Sequence, residues 1–326
     1  MICHFDFCIF NFPFLMNIIG NKYIFLISSW ILVFASIIAI AVWGLRLGID
    51  FTGGSLLEVE FTKNRPAIGD VRAALNGANV GDIIIQEVGE RGILMRFREV
   101  DEPTHQQILL KLAQANPVPS AKNESAVIER QFTTIGPTIG KELRTQSIIA
   151  LITASVAIIL YIAWAFRRVS KPVSSWKYGI AAVVALIHDV VIPAGVFAVL
   201  GHFAGIEIDA LFITAMLTIM GFSVHDTIVV FDRTRENLGK IKGSEHFGTT
   251  VNRSINETLT RSLNTSLTVL LVLLAIFFFG GQTVRYFALS LIIGVSFGTY
   301  SSIFVASPLL VVWQEYGDRR KNKRRV

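Results

Sequence analysis

"GFSVHDTIVVFDRTREN", residues 221–237, begins inside a long apolar run and ends among charges. The run covers residues 208–231. That is long enough to cross a bilayer, because a hydrocarbon core of ~30 Å needs about 20 residues at ~1.5 Å of rise each. Yet Asp226 stands within it, next to His225 and ahead of Asp232. Counting from Asp232, Asp226 lies ~9 Å inside its helix. An acid so placed costs roughly 2.5 kcal/mol or more to insert, so intramembrane acids face the protein interior, find partners and mark ion paths. The bland alternative is a static polar contact between helices.

Outward from this stretch, apolar runs of similar length occur at residues 23–45, 145–166, 178–201, 262–281 and 286–313. Of all these runs, only 178–201 and 208–231 hold acids well inside, Asp189 and Asp226. The composition agrees: 52% of the 326 residues are hydrophobic and the mean hydropathy is +0.56. The expected fold is a polytopic α-helical membrane protein with six transmembrane helices and one α+β domain between the first and second. The division follows: a short N-terminal segment (1–21), transmembrane helix 1 (22–45), the soluble domain (46–144), helices 2–6 (145–313) and a basic tail (314–326).

Lysine and arginine in short loops set the orientation. Arg167, Arg168, Lys171 and Lys177 sit in one loop, Arg233, Arg235, Lys240, Lys242, Arg253 and Arg261 in another, and Arg319, Arg320, Lys321, Lys323, Arg324 and Arg325 in the tail. All fall on one side if the helices alternate. Both termini are therefore expected in the cytoplasm and residues 46–144 outside. The net charge of +6 reports this topology and the lipid bilayer, and is no argument for nucleic acid. The cysteines, Cys3 and Cys8, both precede the first helix, so the outside domain folds without a disulfide. The stretch "MICHFDFCIFNFPFL" lacks the cationic start and small-residue cleavage site of a signal peptide. It reads as an interfacial segment or, the favoured reading, as lying ahead of a true start at Met16.

Within residues 46–144 the hydrophobic period switches. Residues 55–61, 82–88, 93–97 and 126–135 alternate like strands, while 67–79 and 103–116 carry helical spacing. The order β-α-β-β-α-β predicts a ferredoxin-like domain. His105 stands alone there and reads as an exposed helix residue. No nucleophile–base pair or metal-ligand spacing occurs, so the domain reads as a binding or moving part.

The segment "GLRLGIDFTGGSLLEVEF" (44–61), with "GPTIGKELR" (136–144), "ALIHDVV" (185–191) and the opening stretch, resembles the SecF family. The resemblance runs from about residue 17 to about residue 313 in the same order and spacing, and its motif is Asp50, Phe51, Gly53 and Gly54. It implies six membrane helices, a ferredoxin-like exported domain and half of a resistance–nodulation–division architecture. It further implies a place in the bacterial inner membrane with SecD as partner. The pair would use the proton-motive force to help preproteins leave the SecYEG channel, alongside associated factors such as YajC and YidC. The family most often has Asn where this chain has His225, which adds a titratable ring beside the acid.

A proton path is then expected through Asp226. Burial disfavours the charged form and a nearby cation favours it, so a partner that moves switches protonation. Arg261 is the candidate partner, and the resemblance implies the same role for an arginine in this region. The alternative is that Arg261 snorkels to the headgroups. Thr258, Arg261, Thr265 and Thr268, with Asn264 alongside, form one polar stripe. His188-Asp189 repeats the His-Asp dipeptide on the preceding helix. Adjacent helical side chains diverge, which argues against a shared metal, and Asp189 reads as a second polar contact to the stripe or a relay member. Gly294 and Gly298, among small residues at four-residue intervals, read as helix packing.

An intramembrane protease would want a nucleophile–base pair or paired catalytic acids, and beyond Asp189 and Asp226 no motif supplies them. The remaining alternative is a half-unit of a proton-driven small-molecule or lipid exporter, against which the small outside domain argues. No nucleotide-binding loop, cofactor motif or metal site is present in the pattern, so energy must come from an ion gradient or a partner.

Overall fold

The computed structural model describes residues 16–62, 64–78, 80–115, 127–166, 173–240 and 245–323. Cys3, Cys8, the segment before Met16, the loop basics Arg167, Arg168, Lys171 and Lys242, and Arg324 and Arg325 lie outside them. The chain divides into a helical unit, Met1–Arg46 with Ile149–Val326, and a second unit, Leu47–Ile148.

In the helical unit, α1 (Lys22–Trp43) is uncharged beyond its first residue. The second unit follows with α2 (Ile49–Thr52), β1 (Gly54–Phe61), α3 (Ile68–Ala74), β2 (Ile84–Val88), β3 (Gly92–Phe97), α4 (Glu102–Ala115) and β4 (Val127–Ile135). The strands form one antiparallel sheet in the order β2-β3-β1-β4, the ferredoxin-like arrangement expected from the period switches. Alternation places Leu57, Val59 and Phe61 inward, where they meet Val71, Ile93, Met95, Ile108 and Leu112.

The paired glycines have a geometric cause. Gly53 has φ 77° and Gly54 φ 130°, and a Cβ on Gly53 would lie 2.7 Å from Pro137 Cα. A Cβ on Gly140 would lie 2.8 Å from Gly53 N. The segments "DFTGG" and "GPTIG" therefore touch backbone to backbone, which only glycine permits.

His105 is not exposed. It is 3% accessible, stacks on Phe132 with ring centroids 3.7 Å apart, and lies 3.2 Å from Glu102 and 3.4 Å from Glu129. Helical spacing puts it on the same face of α4 as Ile108 and Leu112, turned toward the sheet. On the exposed side of this helix start, hydrogen bonds from Thr104 hold the Asp101 carboxyl below its usual range.

The remaining helices are α5 (Pro137–Ala165), α6 (Ser175–Ala204), α7 (Ala210–Lys240), α8 (Phe247–Phe279), α9 (Gln282–Ser301), a π-helical turn (Ser302–Ala306) and α10 (Ser307–Lys323). Six helical spans are long and apolar enough to cross a membrane, the sixth being α9, the π turn and α10 together. Several run past their apolar stretches. α7 continues through "FDRTREN" to Lys240. Ion pairs of Arg233 and Lys240 with Glu236, at 2.6 and 2.5 Å, carry the helix beyond its apolar part, which hydropathy alone does not register. Likewise α8 starts at Phe247, ahead of the apolar run, where Arg233 also reaches Glu257 at 2.6 Å.

Candidate functional site: two buried carboxylates

Asp189 lies on α6 and is fully buried. His188 Nδ1 is 2.8 Å from Asp189 Oδ1. Ser301 of α9 donates to Oδ2 at 2.6 Å, and Ser223 of α7 donates to the same oxygen. The adjacent His and Asp side chains thus meet, contrary to the divergence expected of neighbours on a helix, because the histidine ring reaches back to the carboxylate. The partners of Asp189 are on α7 and α9 rather than on the α8 stripe.

Asp226 lies on α7, one turn beyond Ser223, and is 7% accessible. Ser262 of α8 donates to Oδ1 at 2.7 Å, while Oδ2 is buried without a hydrogen-bond partner among the described residues. Hydroxyls continue the polar seam: Thr227 pairs with Ser302 at 2.8 Å and Ser266 with Thr299 at 2.5 Å. Close helix approach makes these contacts possible. A side chain on Gly294 would collide with Ile219 of α7, and a Cβ on Gly298 would come within 3.2 Å of Ser223 Cβ and 3.8 Å of Asp189 Oδ2.

The inward stripe of α8 is Thr258, Ser262 and Ser266, all buried and four residues apart. Of the predicted stripe only Thr258 belongs to it. Asn264 is half-buried, Thr265 and Thr268 are exposed, and both threonines bond to carbonyls of their own helix, Arg261 O and Thr265 O. Arg261 is exposed and makes no ion pair among the described residues. It neighbours Ser262, so the sequence reading had the right period and depth but a phase wrong by about 100°. His225 is exposed, on a different side of α7 from Asp226. The serines were missed because their hydropathy is unremarkable; their spacing from Thr258 was the available signal. Among the described residues no cluster of three or more His, Cys, Asp or Glu could hold a metal ion.

Residues 118–316 match the family described as protein export membrane protein SecD/SecF, C-terminal, and residues 38–64 match the SecD/SecF GG motif. The chain belongs to the SecF family. The protein translocase subunit SecF of Thermobaculum terrenum is 45% identical over 92% of this chain and 94% of its own length. That of Anaerolinea thermophila is 41% identical over 92% and 94%. The crystal structure of SecDF, a translocon-associated membrane protein from Thermus thermophilus, matches 92% of the chain at 32% identity with a TM-score of 0.77. The chain spans 39% of that longer SecDF chain. The match to the GG motif contains the Gly53-Gly54 turn described above, where the backbone closely approaches the first turn of α5.

Proposed function

We propose that this chain is a non-enzymatic, proton-driven subunit of protein export. With SecD as partner it uses the proton-motive force to help preproteins leave the SecYEG channel at a late stage. Both termini are cytoplasmic, the membrane is the bacterial inner membrane, and residues 46–144 form the domain outside. The observation that carries the reading is Asp226, a buried carboxyl on a membrane helix with one oxygen held by Ser262 and the other unpartnered. Ionisable residues in hydrocarbon are paired and mark ion or proton paths, and an oxygen that its neighbours leave open is available to take up a proton. Asp189 is the second carrier, joined to the seam through Ser223 and Ser301. Arg261, next to Ser262 on α8, approaches Asp226 when α8 turns, so a hydroxyl serves the neutral acid and a guanidinium the charged one. His225 and the threonines Thr265 and Thr268 lie at the rim of this path.

Asp226→Asn is expected to abolish the proton-dependent stimulation of export while leaving the chain inserted and co-purifying with SecD. Preprotein translocation into membrane vesicles measures this. Normal export from Asp226→Asn vesicles would sink the proton-relay reading.

A further inference from the structure

His188 is 3% accessible and sits between two distinct surroundings. Its Nδ1 faces Asp189, while its Nε2 is buried with no hydrogen-bond partner among the described residues. The ring also lines a cavity of about 80 Å³ bounded by Ser29 and Trp30 of α1, Val184 and Ile187 of α6, and Val305 of the π turn. Such a volume admits water by size, and Ser29 and His188 supply the two polar partners a buried water needs at minimum. Ser29 in turn donates to the Tyr300 hydroxyl at 3.2 Å, and the Tyr300 ring stacks beside His188 with centroids 6.2 Å apart. A histidine kept only to orient Asp189 needs one nitrogen. This one keeps its second nitrogen buried on the side away from the carboxylate.

We propose that His188 is a proton-carrying side chain, taking a proton on Nε2 from the α1–α6 cavity and passing one to Asp189 from Nδ1. The inference rests on the reading of Asp189 and Asp226 as proton carriers. The balance is simple. Neutral His188 begins with its proton on Nδ1, donated to Asp189 Oδ1. Protonation at Nε2 gives the imidazolium. The Nδ1 proton then crosses to Oδ1, leaving a neutral carboxyl and a neutral ring protonated on Nε2. The carboxyl turns to carry its proton to the side held by Ser223 and Ser301 and releases it there, and reorientation of the ring then returns an N–H to the carboxylate and resets the pair. The titratable groups facing His188 are Asp189 on its own helix and the Tyr300 phenol of α9. α1 presents Ser29 and Trp30, α7 presents Ser223, and no Lys, Arg or Glu among the described residues bonds to it.

The test is proton flux into proteoliposomes holding the complex with SecD, read by an entrapped pH dye across a series of pH values. His188→Asn sets an amide nitrogen near the Nδ1 position, keeps the hydrogen bond to Asp189 and removes the titratable ring. Flux is expected to fall about tenfold or more. The limb of the pH profile that the imidazole contributes is expected to vanish. Wild-type flux with an unchanged profile in His188→Asn would overturn the proposal. Should that variant fail to assemble, wild-type complex with ring-labelled histidine is titrated by infrared spectroscopy. The His188 bands are then assigned by their displacement in Asp189→Asn. A ring that never changes protonation overturns the proposal equally. Asp226→Asn in the same vesicles separates the two claims: flux lost there but kept in His188→Asn rejects this inference alone, while flux kept in both rejects the relay itself.

Discussion

Asp189 and Asp226 share a residue type, a depth of burial and a serine-lined setting, but differ in how far their bonds are completed. Asp189 accepts from α6, α7 and α9 at once, and both its oxygens are used. Asp226 accepts from α8 alone, through one oxygen. The difference separates two jobs that one buried acid cannot do equally well. A carboxylate held by several helices fixes their register, and exchanges a proton through the partners already bonded to it, here His188 and the two serines. A carboxylate held by one hydroxyl holds little together and is free to change partner.

The largest effect that tests this contrast is on stability. Asp189→Ala leaves the donors of His188 and Ser223 buried and unpaired, while Ser301 keeps the Gly298 carbonyl, and is expected to cost about 2 kcal/mol. Asp226→Ala removes one interhelical bond, worth about 0.6 kcal/mol. Thermal unfolding of the detergent-solubilised complex reads the difference, and equal losses would break the comparison. A smaller effect sharpens it. Ser262→Ala removes the one hydroxyl on Asp226 and is expected to lower proton flux about threefold, the rate equivalent of one such bond, with no loss of assembly. An unchanged flux would mean that Ser262 only fills space.

Much of this was legible beforehand. Six apolar runs announced six spans, and alternating periods announced the sheet, because burial in lipid or in a core imposes a period on the chain. The acids inside the third and fourth runs stood out for the same reason. Their partners did not. Ser223, Ser262 and Ser301 are near neutral in hydropathy, and only the neighbouring helix decides whether a serine points at a carboxylate. Periodicity found a polar stripe on α8, but several faces of that helix carry hydroxyls, so the phase came out on Arg261 and Thr265 instead of Ser262 and Ser266. His105 was misjudged because a single histidine gives no period of its own; its face is set by Ile108 and Leu112.

The most direct test of the central claim is the protonation of Asp226 itself, followed by difference infrared spectroscopy on the complex with SecD as pH is varied, wild type against Asp226→Asn. The account predicts a carboxyl band that gains and loses its proton as pH is varied in wild type and is missing from the variant. A spectrum in which no such band titrates, or in which the band persists in Asp226→Asn, would contradict it and make Asp226 a fixed contact between α7 and α8.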